Sequence, residues 1–289
     1  MYYLIVNPVS GSGAALKAEE RVSAYLKERG VDFTVLRTEE PGHAAVLAGD
    51  VASRHDCRAV LAVGGDGLAY EVACGLAGTE VPLGIIPGGT GNDFIKTTGT
   101  PKDPVEAVKF ILEHEPKPTD FGIMNNGHFL NVCGTGFDVT VLEETERFKK
   151  HMNGLLPYLL GLIRAIFRYR PVHVKLQLDD EAVERDVLVC SVANGRYIGG
   201  GIPICPAANL DDGLLDVVLV DNVRRGRIPK YLIGLMTGKI LTFDVTQHRL
   251  CRHVVIEAQG MKVNCDGEII PVDRVEFGVL PGRLLLFRP

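Results

Sequence analysis

The 289-residue sequence predicts an α/β N-terminal domain, with a parallel sheet and helices on both faces, followed by a mainly antiparallel β domain. Strand-like and helix-like stretches alternate down to about residue 115, and repeated βα units imply a parallel sheet. After residue 120 short strand-like runs dominate, punctuated by turn signals such as LDDE and LDDG. The expected domains are therefore 1–120 and 121–282, with a final strand at 283–289 free to return to the first domain. Three loops, NPVSGSG, GGDG and PGGTGND, fall at successive strand ends. In parallel α/β sheets ligands sit beyond those carboxyl ends, so the loops are expected to converge on one crevice.

The elements follow in order. Tyr2–Val6 is an apolar strand. Ala14–Arg29 has helical periodicity and stops at Gly30, a suitable C′ glycine. Phe33–Leu36, Ala59–Val63 and Pro82–Ile86 read as strands, and Pro41–Arg54 and Ala69–Leu76 as helices. DPVEAVKFILEHE opens with Asp103 as N-cap, Pro104 at N1 and Glu106 at N3. The second domain reads as strands at Phe129–Cys133, Val172–Leu178, Val183–Ala193, Leu214–Val220, Val254–Glu257, Lys262–Cys265 and Leu284–Phe287. Helices are expected at Val139–Arg170 and Ile228–Met236.

A net charge of −5 gives no basic footprint for nucleic acid. Seven scattered cysteines, none in a CxxC pair, support neither a disulfide framework nor a zinc site, and point to reduced thiols and a cytoplasmic setting. MYYLIVNPVSG lacks the basic start of a signal peptide. The longest apolar run, GLLPYLLGLIRAIF, is broken by Arg164 and is too short to span a bilayer.

Glycines in LAVGGDGLAYEV let the backbone approach a bulky anion, and a following helix N-terminus aims amides at phosphate oxygens. This accounts for Gly64, Gly65 and Gly67. An acid amid phosphate-binding glycines implies a metal between them, so Asp66 is a candidate Mg²⁺ holder. Alone, the loop also fits a plain strand-to-helix turn with Asp66 as N-cap. PGGTGND adds Gly89, Thr90, Asn92 and Asp93, and NPVSGSG adds Asn7 and Ser10. No Gly-Lys-Ser/Thr follows, which excludes a P-loop, and the spaced third glycine of the dinucleotide fingerprint is absent. DFG at 120–122 lacks the companion kinase motifs. Near the C-terminus, Asp266 closes a strand-like run and Gly267 leaves room for a substrate; a simple Asp-Gly hairpin turn fits equally. IGGGIPICP is either the lining of an acyl-chain channel or a bulged sheet edge, and His43 suits a helix start.

The ordered set NPxSG, GGDGxxxE, PGGTGNDF, NxxGxGFD, PxAxxxDGxLD and DGE resembles the diacylglycerol kinase catalytic-domain family, from Asn7 to Glu268. The resemblance implies a nucleotide-binding α/β domain, a β-sandwich domain and ATP-dependent phosphorylation of a lipid hydroxyl, with diacylglycerol first and sphingoid or ceramide lipids as alternatives. It implies nucleotide contacts from Asn7, Thr38, Gly64, Gly65, Asp66, Gly67, Glu71, Thr90, Asn92 and Asp93, with Mg²⁺ as cofactor. It makes Asp266 the general base and Glu268 its companion. It implies a structural Mg²⁺ at position 209, Asp212 and Leu214, although Asn209 stands where family members carry an acid. Leu68 and Tyr70 also depart from the usual threonine and asparagine after GGDG. NAD kinases share a GGDG loop, but their NE motif has no counterpart; a regulator without turnover is disfavoured because both Asp66 and Asp266 are present.

A lipid substrate requires access to a bilayer. Residues 147–170 hold Arg147, Lys149, Lys150, Arg164, Arg168 and Arg170 and no acid, around an apolar run, and RRGRIPK adds a second basic cluster. Such a segment suits peripheral docking on an anionic membrane, or else a helix packed on the β domain with solvated arginines. The family resemblance also implies a homodimer.

Overall fold

Alternation along the first strands decides which helices cover which face. β1 (Tyr2–Val6), β2 (Phe33–Arg37), β3 (Ala59–Gly64) and β4 (Leu83–Pro87) pair in parallel in the order β2-β1-β3-β4. Leu4, Leu61 and Val63 pack on one face against α1 (Ala14–Glu28) and α5 (Pro104–Glu113). Ile5, Val60 and Ala62 pack on the other against α2 (His43–Ala52) and α3 (Asp66–Leu76). A strand buried on both faces carries apolar residues at every position, as the fully buried YYLIV of β1 does. The computed structural model describes residues 1–149 and 156–289.

The helix start at Asp103 forms as its sequence dictates: the carboxylate accepts from the amides of Val105 and Glu106. A short helix with no counterpart in the sequence reading, α4 (Asp93–Thr98), follows the PGGTGN loop.

The second domain is antiparallel. It comprises β5 (Lys117–Met124), β6 (Gly127–Phe129), β7 (Val132–Gly136), β8 (Val172–Leu178), β9 (Glu181–Ala193), the two-residue hairpin strands β10 (Tyr197–Ile198) and β11 (Ile202–Pro203), β12 (Leu215–Asp221), β13 (Thr246–Cys251), β14 (His253–Glu257), β15 (Lys262–Cys265), β16 (Glu268–Pro271) and β17 (Arg274–Leu286). The run expected at Phe129–Cys133 divides at Leu130–Asn131 into β6 and β7. β17 is longer than expected: it pairs with β14 and β5 in the second domain, and Leu286 then pairs in parallel with Leu83 of β4. One strand thus hydrogen-bonds both halves into a continuous sheet.

Val187, Val192, Leu215 and Val217 face the core of the β domain. Their neighbours Leu188, Ala193, Val218 and Val220 face outward, where α6 (Phe137–Lys149), α7 (Leu156–Arg168) and α8 (Ile228–Met236) cover them. The single helix expected over 139–170 is therefore two helices; residues 150–155, including Lys150, lie outside the described residues. Arg147, Arg164 and Arg168 stay about half exposed but are paired. All three converge on the buried carboxylate of Glu144, at 2.8, 2.7 and 3.5 Å, and so tie α6 to α7. Among the described residues no helix is long and apolar enough to cross a membrane.

Candidate active site

The three glycine loops pack backbone on backbone. A Cβ at Gly89 would sit 2.4 Å from the Cα of Gly65, and one at Gly11 would sit 2.4 Å from the carbonyl oxygen of Gly88. Gly64 is buried against Leu68. The role expected of Gly64 and Gly65, close approach to an anion, is thus only part of the reason for glycine: these residues first let one loop touch another. Gly67 differs, being exposed with open space at its Cβ position. Gly11, Ser12 and Gly13 all take positive φ, which lets the chain leave β1 and enter α1 in a tight turn.

Asp66 lies at the first residue of α3, and Gly65 is the N-cap. Its carboxylate reaches the next loop, where Oδ2 accepts from the amide of Asp93 at 3.0 Å and Oδ1 from that of Phe94 at 2.9 Å. Asp66 therefore caps α4 rather than its own helix. Asp93 binds Lys96 at 2.9 Å and accepts from the amide of Gly200, on the β10–β11 hairpin, at 2.8 Å. A Cβ at Gly91 would lie 3.2 Å from Asp66 Oδ2 and 3.8 Å from Asp93 Oδ2, so both carboxylates flank that backbone. Asn92, at φ 51°, closes the loop by exchanging hydrogen bonds with Gly89.

Asp266 and Gly267, both at positive φ, form the turn between β15 and β16. The hairpin turn and the position expected to act as base thus fall on the same dipeptide. The carboxylate of Asp266 points inward and accepts from Leu130 (2.6 Å, Oδ2), Asn131 (3.0 Å, Oδ1) and Val132 (2.9 Å, Oδ1). Oδ2 also takes a long second contact from the Asn131 amide at 3.4 Å, the weakest of the four and the one an incoming proton would replace. Burial disfavours the anion more than the three amides favour it, and the charge of Asp66 adds to the effect; together they push the Asp266 carboxyl up to about 6.

Asp66, Asp93 and Asp266 line one end of a cavity of about 600 Å³. The other walls are largely apolar, from α6, α7, α8 and the β10–β11 hairpin, with Phe137, Leu162, Leu188, Ile204 and Leu235 among them. The IGGGIPICP segment is both things the sequence left open: a small hairpin edge, and a wall contributing Ile198, Gly199, Gly200, Ile202 and Ile204. Asp138 joins the polar end, where it accepts from Asn264 at 3.3 Å and burial raises its carboxyl above the ordinary range. Its role was not anticipated, although GFD in the quoted pattern contains it.

The remaining expected residues are placed as follows. Asn7, Ser10 and Thr38 stand at the ends of β1 and β2: Asn7 Oδ1 accepts from Val9, the Ser10 amide donates to Asn7, and that of Thr38 donates to Val6. Thr90 is exposed at the tip of its loop. Glu71 accepts from the amide of Ala44 at 3.2 Å, near the start of α2, where His43 Nδ1 accepts from Glu39. Tyr70 donates to the carbonyl of His128, joining α3 to the β domain. Glu268 is exposed on β16 and is not among the residues lining the cavity. In the 209–214 turn, Asn209 hydrogen-bonds Asp211, which pairs with Arg288, and Asp212 Oδ1 accepts from the Leu214 amide. Asp120, of the discounted DFG, holds this turn by accepting from Gly213 and Gly282.

Comparison with known proteins places this geometry. Residues 1–124 match the diacylglycerol kinase catalytic domain, and residues 131–288 match the YegS C-terminal NAD kinase beta sandwich-like domain. A Mycobacterium tuberculosis protein named diacylglycerol kinase is 33% identical over 293 residues, covering 99% of this chain and 94% of that one. A Chromohalobacter salexigens protein named "Probable lipid kinase YegS-like" is 30% identical, covering 99% and 93%. A crystal structure of a diacylglycerol kinase from Bacillus anthracis superposes with a TM-score of 0.74 at 26% identity, covering 100% of this chain and 96% of that one.

Proposed function

Because the chain belongs to the diacylglycerol kinase catalytic-domain family, and is on that ground a lipid kinase, we propose that it transfers the γ-phosphate of ATP to the free hydroxyl of diacylglycerol, giving phosphatidic acid. One observation carries the choice of substrate class: Asp66, Asp93, Asp138 and Asp266 stand at the polar end of a largely apolar cavity of about 600 Å³. That volume is within the range of small-ligand sites, about 300–1,000 Å³. It accommodates a glycerol backbone and the upper part of its acyl chains, leaving the tails in the bilayer.

The oxygen-only donors of Asp66 and Asp93, converging beside Gly91, suit a hard divalent cation. Bound there, Mg²⁺ supplies charge neutralisation for the nucleotide phosphates. The chain's own residues do the rest. The open backbone at Gly67 leaves room for phosphate oxygens. The amides of Leu130–Val132 hold Asp266 with Oδ2 turned to the acceptor hydroxyl. As the hydroxyl oxygen bonds to the γ-phosphorus and the bond to ADP breaks, its proton passes to Oδ2.

The sign of the pH dependence follows. With the Asp266 carboxyl near 6, the base is protonated and idle below that pH, and ionised above it. The acidic limb of kcat/KM for the lipid is expected at about pH 6, with a plateau above. A limb at the ordinary carboxylate range would remove Asp266 from the role.

Delivery of the substrate is part of the same proposal. Leu156, Leu159, Ile163 and Phe167 form an exposed face of α7, with Phe167 72% exposed, and Ile233 and Met236 of α8 are exposed as well. Leu159 and Met236 also line the cavity, so its apolar wall continues into this surface. Arg224, Arg227 and Lys230 are exposed at the start of α8. We propose that this face rests on an anionic bilayer. Phe167→Asp, outside the cavity, is expected to reduce binding to phosphatidylglycerol vesicles about tenfold and to lower activity on vesicle-borne diacylglycerol. Activity on a monomeric short-chain diacylglycerol should be retained. Equal loss on both substrates would contradict the docking role.

A further inference from the structure

Outside the active site, three donors of different chemistry meet on the outer face of the β sheet. β12 and β13 pair with Asp216 opposite Leu250 and Val218 opposite His248, so Asp216 and His248 are diagonal neighbours on one face. That face is the one occupied by Val218 and Val220, against which Ile204 and Cys205 pack after the β10–β11 hairpin. One ligand atom from each of Cys205, Asp216 and His248 lies within 4.8 Å of the other two. Cys205 and Asp216 are buried, Asp216 with 1% exposure, and His248 is partly exposed. His248 Nε2 contacts Asp216 Oδ1 at 2.6 Å, while the second oxygen, Oδ2, is buried without a partner of good hydrogen-bond geometry and the Cys205 thiol stands beside the carboxylate. A carboxylate this deep ordinarily has both oxygens satisfied.

We propose that Cys205, Asp216 and His248 bind a zinc-class divalent ion. Tetrahedral zinc, at about 2.0–2.3 Å from its N, O and S ligands, sets those ligands about 3.3–3.6 Å apart. From separations within 4.8 Å, the cluster reaches this spacing by opening the 2.6 Å His–Asp contact and drawing the wider pairs together. A thiolate, a carboxylate and a neutral imidazole cancel the charge of a divalent cation, and binding releases the thiol proton. The fourth position is left for water on the exposed side of His248. Such an ion fastens the segment after β11 to the β12–β13 hairpin. The hairpin that leads into that segment carries Gly200, whose amide holds Asp93, so the ion steadies one wall of the active site without entering it. The site lies apart from the 209–214 turn and depends on no reading of the substrate.

The test uses Co²⁺ alone as probe on chelator-treated full-length protein. One equivalent per chain is expected, with thiolate-to-cobalt charge transfer in the near ultraviolet and the visible bands of a tetrahedral ion. Cys205→Ser should remove the charge-transfer band, and His248→Gln, at a partly exposed position, should abolish tight binding with the far-ultraviolet circular dichroism unchanged. Zinc should displace cobalt and raise the melting temperature of the unsubstituted protein. Absence of the charge-transfer band in that protein, or a band that survives both substitutions, overturns the proposal.

Discussion

Asp266→Asn is expected to cut turnover about 10²–10⁴-fold, the usual contribution of a positioned general base, with the KM for ATP changed only a few-fold. The geometry separates the two readouts. Asp266 touches the β domain through Leu130, Asn131 and Val132, whereas the glycine loops belong to β1, β3 and β4. Asparagine keeps the volume but replaces one acceptor oxygen with a donor. Placed at Oδ2, the new NH₂ meets the Leu130 amide and leaves that donor unpaired, costing about 1–3 kcal/mol of stability. Steady-state kinetics at saturating lipid, beside nucleotide binding by calorimetry, distinguish the effects. Turnover within a factor of three of the parent would remove Asp266 from catalysis.

Gly89→Ala is expected to be among the most damaging single methyl groups in the first domain. Its Cβ would stand 2.4 Å from Gly65 Cα and 2.9 Å from Asn92 Oδ1, backbone on one side and a loop-closing amide on the other. Neither can move without opening the loop that Asp66 caps. Overpacking of this kind costs about 1–3 kcal/mol, and here the strain falls on the phosphate-binding backbone itself. Melting temperature and the stabilisation conferred by ATP should fall together. Gly67→Ala is the matched control: it meets nothing within 4 Å, so melting should hold while ATP affinity drops. If Gly89→Ala melts and binds ATP like the parent, the loop-on-loop account is wrong.

What the sequence made legible was local. The Asp103 cap lies within three residues of the amides it serves, and the alternating strands and helices of the first domain show in their periodicity. α4 was not legible because its cap, Asp66, comes from a loop 27 residues earlier. β13, with the polar sequence TQHRLC, carries no strand signal; it forms at a sheet edge by pairing with the buried β12. β5 hides behind Pro118 and a DFG tripeptide, and its partner is β17, more than 150 residues on. The basic stretch 147–170 looked free of acids, yet Glu144, just before it, gathers Arg147, Arg164 and Arg168. The structure leaves an apolar face of α7 exposed beside these half-exposed, paired arginines.

For the site, motif order marked Asp66, Asp93 and Asp266 from residues far apart in the chain, and the fold gathers them at one cavity. Spacing carried no information on side-chain direction. Glu268, two residues from Asp266, faces solvent because neighbouring positions in and beyond a hairpin turn diverge. Asp138 lines the polar end because α6 begins where β7 ends, a junction visible only in three dimensions.

The most direct measurement is transfer of label from ATP carrying a radioactive γ-phosphate, with anionic vesicles containing diacylglycerol, monoacylglycerol, a sphingoid base or ceramide, and NAD as a soluble control. The account predicts Mg²⁺-dependent label in phosphatidic acid, at a rate about 10²–10⁴-fold lower with Asp266→Asn. Label appearing in NADP, or in phosphatidic acid at an undiminished rate after that substitution, would contradict it.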